Sequence, residues 1–564
     1  MTLEGTIIDV AWFDYVPLVI YFVLVIGIGV LGRKHVSNAI DFLLSGRSLP
    51  AWVTGLAFIS ANLGAVEIMG MSATGAQYGL PTMHYFWVGA IPAMLFLGVV
   101  MMPFYYGSKV RSVPEFMYKR FGVPAHLVNS ISFACAQLLI AGVNLYLLGS
   151  IVQAMLGWPM WVTLFVAALI VLSYITLGGL SAAIYNEVLQ FFVIVAGLLP
   201  LTLIGLNRIG GWQGFVAKVS AEPCGPGQEY GCGAGQLQTW PGQALSGFPY
   251  PWLSVVGIVF GLGFVLSFGY WTTNFVEVQR AMASNSIRSA RLTPIIGSFP
   301  KMFIPFIVVI PGMIAAAIVP ELISYKAGTG AEVQWNQSLI YLMRDVLPNG
   351  LLGLAVTGLL AAFMAGMAAN ISAFNTVITY DIWERYIQKD KDDAYYLKLG
   401  RIATVTATIV AIGTAFIAGS FSNLMDYLQT LFGFFNAPLF ATFLLGMLWK
   451  RMSPTAGWVG LVFGTLSAVG VFILNQTGVL DLPGQGSAFL AAATAFVVDV
   501  VLSVIVTQFT APKPESELVG FVYSLTPKSA LQDPGNVKYP WYRRPVPLAG
   551  ISLVFVIALN FVFA

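Results

Sequence analysis

Five ionisable side chains lie within long apolar stretches of this sequence: Glu67, Glu187, Lys301, Asp426 and Asp499. Because a bilayer interior stabilises charge poorly, such residues commonly bind a solute, carry a proton or pair with one another. Glu67 is the best candidate for contact with a hydroxylated solute. Lys301 is equally compatible with ligand contact and with a stem that snorkels to the interface. Glu187 is compatible with proton relay, cation sensing or packing, whereas we expect Asp426 to reach water and Asp499 to form a structural pair.

Two stretches interrupt their own apolar runs with Gly, Ser and Asn. They are GLAFISANLGAVEIMG (Gly55–Gly70) and GLGFVLSFGYWTTNF (Gly261–Phe275), and each opens a run of five apolar segments. Broken helices in matching positions of two halves indicate a binding site near the middle of the membrane. Unwound backbone at Asn62-Leu63-Gly64 would present carbonyl groups to a cation. Ordinary close packing of small residues is the alternative.

The composition predicts how these residues are held. The 564 residues are 58% hydrophobic and 9% charged, and the mean hydropathy is +0.81. Apolar runs long enough to cross a bilayer recur throughout, which predicts an all-α polytopic membrane protein. We expect about fourteen transmembrane helices, approximately at 13–32, 50–72, 80–103, 125–156, 158–177, 181–205, 251–276, 294–319, 348–380, 401–419, 424–449, 454–475, 487–510 and 546–563.

The distribution of Lys and Arg predicts the orientation. Most of them fall in the loops at 33–49, 104–124, 277–293, 381–401, 450–453 and 511–545. The positive-inside rule makes these loops cytoplasmic and both termini external, in the plasma (cell inner) membrane. Cys224 and Cys232 then lie in an external loop, where either a disulfide or two free thiols is possible.

Several functional classes find no support in the sequence. There is no phosphate-binding loop of the G-x-x-x-x-G-K-[ST] type, no cluster with metal-site spacing and no nucleophile–base signature. The net charge of +3 is too small to indicate a nucleic-acid partner. We therefore expect neither an ATP-driven pump nor an enzyme, and no resident cofactor.

Motifs spread over nearly the whole chain carry a family resemblance. They are DFLLSGRSLPAW (Asp41–Trp52), SVPEFMYKRFG (Ser112–Gly122), YITLGGLSAAIYNEVLQ (Tyr174–Gln190), YDIWERYI (Tyr380–Ile387) and FLLGMLWKR (Phe443–Arg451). Together they resemble the sodium:solute symporter family, within it the sugar-transporting branch. The resemblance implies a five-plus-five inverted-repeat transporter core that works by alternating access. It implies the following division: a first helix and loop at 1–49, the first repeat at 50–205, an external loop at 206–250, the second repeat at 251–449 and accessory helices at 450–564.

The resemblance also implies a solute site. Five residues fall on positions that contact the sugar, break the helix or form the inner gate: Asn62, Glu67, Tyr270, Lys301 and Gln429. Two candidates depart from the sugar branch, since Phe86 stands where a glutamate is usual and Ser267 replaces an asparagine. The site therefore resembles a sugar cage that is partly kept and partly rebuilt.

The family's sodium site maps onto the two helices that carry the small residues. Its backbone carbonyl ligands correspond to Ser60, Leu63 and Ala362, whereas its two hydroxyl positions hold Ala365 and Gly366. A hard cation needs oxygen ligands, and a methyl group or a hydrogen supplies none. Sodium coupling at this site therefore lacks two of its usual ligands. The same small residues predict close packing against the broken helix.

These features predict a symporter that imports a small hydroxylated solute, with a sugar as the leading choice. Coupling would be to sodium, or to protons through Glu187, which stands where the family often has an aspartate linked to cation coupling. The alternatives are a monocarboxylate symporter in which Lys301 binds the carboxylate, an uncoupled uniporter, and a solute sensor that does not transport. The sensor is least favoured because no output domain is evident. The expected partners are the solute, a coupling cation and the lipid bilayer.

Overall fold

The apolar runs form long helices in the computed structural model of the chain. The structure describes residues 6–33, 47–222, 232–329, 333–421, 423–482, 484–531 and 538–564, without the side chains of 32, 33, 173–182 and 530. The start of the Asp41–Trp52 motif and Cys224 lie outside the described residues. Cys232 is disulfide-bonded.

Fifteen helices build the transmembrane part. They are α1 (Tyr15–Arg33), α2 (Ala51–Asn62), α3 (Val66–Tyr78), α4 (Leu80–Gly107), α5 (Val123–Leu156), α6 (Met160–Ile209), α7 (Pro251–Thr273), α8 (Phe275–Met282), α9 (Ile287–Ile318), α10 (Leu351–Ile387), α11 (Asp393–Ala418), α12 (Leu424–Leu448), α13 (Pro454–Gln476), α14 (Gly486–Phe509) and α15 (Pro545–Val562). Short helices at Val113–Phe121, Gly211–Ser220, Pro320–Lys326 and Ser338–Val346 connect them.

Twelve helices of the described chain are long and apolar enough to cross a membrane, and the bent pair α2 and α3 makes a thirteenth. The remaining predicted span is accounted for by α6, which contains both the fifth and the sixth predicted spans. Its described first part, Met160–Leu172, is apolar but shorter than the others. The prediction of an all-α polytopic membrane protein is confirmed.

Burial separates the central helices from the peripheral ones. In the most apolar part of α10, 89% of the residues are buried, against 22% in α1 and in α15. Because lipid-facing helices leave apolar side chains on the protein surface, α1 and α15 lie at the periphery and α10 at the centre. The central helices are therefore the ones that can enclose a polar site away from lipid.

Small residues let α10 approach its neighbours closely. A Cβ added to Gly366 would lie 3.0 Å from the Cα of Gly64, at the α2–α3 break. A Cβ added to Gly358 would instead meet the backbone of Val193 on α6, 3.2 Å away. The predicted close packing of α10 against the broken helix is thus present at Gly366, while Gly358 serves a second contact with α6.

Candidate solute and coupling site

Both interrupted stretches break where polar residues interrupt the apolar run. Helix α2 ends at Asn62, and α3 follows at an angle of 58°. Helix α7 ends at Thr273, after which Asn274 is extended and its side chain caps α8 by accepting from the Val276 amide at 3.0 Å. Asparagine suits this place because its side chain satisfies a backbone donor that the new helix leaves free.

A cavity lies where the two breaks face each other. The amide of Asn62, at the first break, donates to the hydroxyl of Tyr270 near the second at 3.1 Å. The cavity encloses about 800 Å³ of empty space, including its opening. Its polar lining comprises Asn62, Glu67, Asn144, Ser267, Tyr270, Asn274, Lys301, Asn370 and Gln429. Apolar walls with a few convergent polar groups are the usual composition of a small-molecule site.

Lys301 is the cationic centre of the cavity. Its ammonium forms an ion pair with Glu67 at 2.5 Å and donates to the side-chain oxygen of Asn62. It also lies 4.9 Å from the ring centroid of Phe86 and 5.2 Å from that of Trp271. Because the residue is only 1% exposed, its stem does not snorkel to the interface. The structure therefore excludes the interfacial alternative, and ligand contact by Lys301 remains a prediction.

The helix that carries Lys301 is interrupted at this residue. The helical segment Ile287–Lys301 ends here, and Ile304–Ile318 resumes after a two-residue gap. Pro300 and Pro305 flank the gap, and proline removes a backbone donor and prevents a continuous helix. The interruption places the lysine at the wall of the cavity instead of in a regular helix face.

Tyr270 and Gln429 line the cavity from α7 and α12. The ring of Tyr270 packs on Phe432, with 4.7 Å between centroids, and its hydroxyl donates to Glu277 at 2.9 Å. The side-chain amide of Gln429 rests against the sulfur of Met425 at 3.2 Å. An aromatic ring beside amide and charged groups suits a solute with one apolar face and several hydroxyls.

Six of the seven predicted solute-site residues line this one cavity, and Phe86 does not. Phe86 is 1% exposed and lies behind Lys301, so it contacts the ammonium instead of the cavity. A Cβ at position 89 would lie 2.2 Å from the Ser267 hydroxyl. Glycine at this position therefore leaves room for the Ser267 side chain at the cavity. A solute role for all seven remains a prediction.

The predicted sodium site has an additional oxygen that the sequence analysis missed. The side-chain oxygen of Asn144, from α5, would lie 2.9 Å from a Cβ on Gly366 and 3.0 Å from one on Gly64. The carbonyl of Ala362 would lie 3.8 Å from that Gly64 Cβ. The Asn144 oxygen and the Ser60 hydroxyl are both buried without a partner among the described residues.

These oxygens fit a hard cation in kind, since hydroxyl, amide and carbonyl oxygens are its usual ligands. The amide of Asn144 lies in the space that a hydroxyl at position 366 would need. One side-chain oxygen from another helix therefore lies beside position 366, and no such oxygen is seen beside Ala365 among the described residues. The assignment of Ser60, Leu63 and Ala362 as carbonyl ligands remains a prediction.

Glu187 does not line the cavity. It is 1% exposed and forms an ion pair with Arg280 of α8 at 2.6 Å. The sequence analysis places residues 277–293 in a cytoplasmic loop, but Phe275–Met282 is a fully buried helix. The loop is predicted because this stretch contains charged residues. Those residues belong to a buried network and not to a solvated loop. The sequence analysis therefore missed Arg280 and Glu277.

The other intramembrane carboxylates lie away from the cavity. Asp499 accepts hydrogen bonds from Thr442 at 2.7 Å and Ser503 at 3.1 Å, as expected of a structural residue. Asp426 accepts from the side chain of Gln485 and is partly exposed, so its contact with water remains a prediction. Neither group faces the solute site.

Comparison with known proteins identifies the family. Residues 42–464 match the model of the sodium:solute symporter family. A sodium/glucose cotransporter of Vibrio parahaemolyticus is 29% identical over 463 residues, which cover 80% of this chain and 83% of the relative. The human sodium/glucose cotransporter 4 is 27% identical over 540 residues, which cover 90% of this chain and 77% of the relative.

A solved structure of a Na+-coupled sialic acid symporter in a substrate-bound, outward-open state is similar to the fold. The TM-score is 0.72 at 18% sequence identity, over 89% of this chain and 99% of the other. At that identity the likeness concerns the fold. The family match over most of the chain shows that this multi-pass membrane protein is a transporter and not an enzyme, and that it belongs to the sodium:solute symporter family.

Proposed function

We propose that this protein imports a small hydroxylated solute, with a sugar as the best fit, by cation-coupled alternating access. The observation that carries the proposal is the cavity at the two helix breaks. There a paired lysine and glutamate, five side-chain amides and the ring of Tyr270 converge. Hydroxyl groups both donate and accept hydrogen bonds, so they match a site that offers an ammonium, a carboxylate and amides together. Relatives named as sodium/glucose cotransporters support the same solute class.

An organic acid is the less favoured solute. Lys301 would be the group to bind a carboxylate, but its ammonium is already paired with Glu67 at 2.5 Å. A second carboxylate would bring two like charges together in a weakly solvated cavity. An uncoupled uniporter and a non-transporting sensor remain alternatives, which differ from the proposal in their response to ion gradients.

The coupling ion is sodium or a proton. Family membership supports sodium, as do the buried, unpartnered oxygens of Ser60 and of Asn144, the latter near Gly64 together with the Ala362 carbonyl. The absence of hydroxyls at 365 and 366, the partly exposed carboxylate of Glu67 and the buried one of Glu187 support protons. Family membership supports a plasma membrane location, and the distribution of Lys and Arg supports an orientation with both termini external.

The division of the chain into two repeats at 50–205 and 251–449 is likewise a proposal. It is supported by helix breaks near the start of each repeat, at Asn62 and at Asn274. The segments at 1–49, 206–250 and 450–564 would then be additions to the ten-helix core.

Solute counterflow in proteoliposomes tests the solute class. Vesicles holding the full chain are loaded with one candidate sugar, polyol or monocarboxylate, and entry of the same labelled compound is followed without any ion gradient. We expect counterflow with a sugar and loss of it in Lys301→Ala and Gln429→Ala. Counterflow confined to monocarboxylates would contradict the proposal.

The chain offers a matched control for Lys301. Lys326 pairs with Glu222 away from the cavity, in the described segments that connect the spanning helices. Burial raises the pKa of the Glu222 carboxyl, and the Lys326 ammonium opposes this rise, so this pair is also shielded from water. Lys326→Ala should leave counterflow kinetics unchanged, whereas a solute effect equal to that of Lys301→Ala would mean that the loss reflects stability alone.

A further inference from the structure

A chain of hydrogen bonds leads from the solute cavity to a carboxylate that the proposed function does not use. Lys301 donates to Asn62, Asn62 donates to the hydroxyl of Tyr270, and that hydroxyl donates to Glu277 at 2.9 Å. Glu277 is completely buried on α8. Its second oxygen, Oε2, has no hydrogen-bond partner among the described residues. A charged carboxylate with a bare buried oxygen would be strongly disfavoured.

Among the described residues, the guanidinium of Arg280 makes no hydrogen bond or ion pair with Glu277. Arg280 donates through Nη2 to Glu187 at 2.6 Å and through Nε to the other oxygen of Glu187 at 3.3 Å. Its Nη1 donates to the Val276 carbonyl at 3.0 Å and to the side-chain oxygen of Gln279 at 3.1 Å. Each nitrogen of the guanidinium is therefore used elsewhere.

Within the part of the chain that the structure describes, the packing around α8 shows no further ion pair with this carboxylate. The titratable groups that act on Glu277 are Tyr270, Arg280, Lys301 and Glu187. Helices α2 and α10, which also pack on α8, carry no charged side chain in Ala51–Asn62 and Leu351–Thr376. Helix α9 packs on α8 as well and carries Arg288 and Arg291 besides Lys301, but these two donate to the backbone carbonyls of Arg543 and Gly98. Tyr105 of α4 donates to the Thr272 carbonyl.

Charge counting over the connected groups leaves one carboxylate in excess. Glu67, Glu187 and Glu277 are three acids, whereas Arg280 and Lys301 are two bases. Two acids are each ion-paired with one base. If every group were ionised, the cluster would carry a charge of −1 inside the protein, and one bound proton makes it neutral. The acid without an ion pair is Glu277, and its Oε2 is the free position for that proton.

We propose that Glu277 carries a coupling proton, which crosses the membrane with the solute. The inference rests on the proposed function, which supplies the alternating access. The proton binds Oε2 of Glu277 from water on the side where the solute enters, and it leaves to water on the opposite side. No covalent bond of the solute forms or breaks. Glu187, the coupling residue expected from the sequence, instead holds Arg280 away from Glu277.

Tyr270 connects the two binding events. Its ring lines the solute cavity, and its hydroxyl bonds to Glu277. A solute that moves this ring must alter the bond to Glu277. Oε2 of Glu277 then gains or loses contact with water when the solute binds or leaves. Solute and proton are thereby coupled through one side chain.

The test uses proteoliposomes with the full chain, the sugar identified by counterflow and a pH-sensitive dye inside. Wild-type vesicles with an alkaline interior should accumulate the sugar and should acidify when it is added. Glu277→Gln, which mimics the protonated acid, should retain counterflow but lose both accumulation and acidification. The control Glu222→Gln, whose carboxylate lies outside the cluster, should behave as wild type.

The possible results separate two failures. Absence of counterflow in the wild type would overturn the proposed function itself. Counterflow without acidification in the wild type would overturn the proton inference alone, as would a Glu277→Gln variant that accumulates sugar like the wild type. If Glu277→Gln does not exchange sugar, the pH dependence of uptake by Glu277→Asp is measured instead. We expect coupled uptake with a shifted pH midpoint, and an unchanged midpoint would contradict the role of Glu277.

Discussion

The pair Lys301 and Glu67 gives the sharpest test of the solute cavity. Lys301→Met removes the ammonium while nearly keeping the volume, so Glu67 and the Asn62 oxygen each lose a donor. Removing one partner of a buried ion pair typically costs about 3–5 kcal/mol in stability. The Glu67 side chain is 11% exposed at the cavity, which lets water replace part of the lost interaction. We therefore expect a loss near the lower end, about 3 kcal/mol.

The double variant Glu67→Gln/Lys301→Met separates stability from binding. It removes both charges, so most of the lost stability should return. Solute affinity should not return, because a hydrogen bond to a charged group contributes about 1.5–3 kcal/mol, or about 10- to 150-fold in Kd. Thermal unfolding in detergent gives the stability order, and titration calorimetry with the sugar gives Kd.

Two results would refute this reasoning. A double variant as unstable as Lys301→Met would show that the ion pair is not what the single change disrupts. Wild-type affinity in Lys301→Met would show that the ammonium does not contact the solute. Lys326→Met is the control, because it breaks the pair with Glu222 and should lower stability without changing Kd.

Three further predictions concern the neighbouring elements. Gln429→Ala should weaken sugar binding but leave the unfolding temperature nearly unchanged, because its side chain lines the cavity; equal affinity in calorimetry would remove it from the site. Gly366→Ser should lower the unfolding temperature, because its Cβ would lie 2.9 Å from the Asn144 oxygen; an unchanged temperature would contradict this close approach. Glu187→Gln should reduce gradient-driven uptake, because Arg280 becomes free to pair with Glu277; uptake equal to wild type would exclude the positioning role of Glu187.

The sequence predicts those features of the fold that have local causes. Spans follow from the length of apolar runs, and the break after Asn62 follows from the cluster of Asn and Gly that interrupts one of them. The sequence also predicts an interruption within Gly261–Phe275 but places it ahead of Tyr270, whereas the helix ends after that residue, at Thr273. The count of spans differs at α6, where two predicted helices form one.

The sequence predicts less where a residue's role depends on a distant partner. Lys301 stays in the protein interior because it pairs with Glu67, which lies 234 positions away along the chain. Asn144 is one of two asparagines in the apolar helix α5, and its unpartnered oxygen matters only because Gly64 and Gly366 bear no side chain. Glu277 was missed because charge near the end of a predicted span favours a solvated loop.

Gradient-driven accumulation tests the central claim most directly. Proteoliposomes with the full chain receive the sugar identified by counterflow under an inward sodium gradient, an inward proton gradient, or neither. Cation-coupled transport predicts that the internal concentration rises above the external one under at least one gradient and only reaches it when both are absent. Uptake that is identical in all three conditions would contradict the account and leave a uniporter.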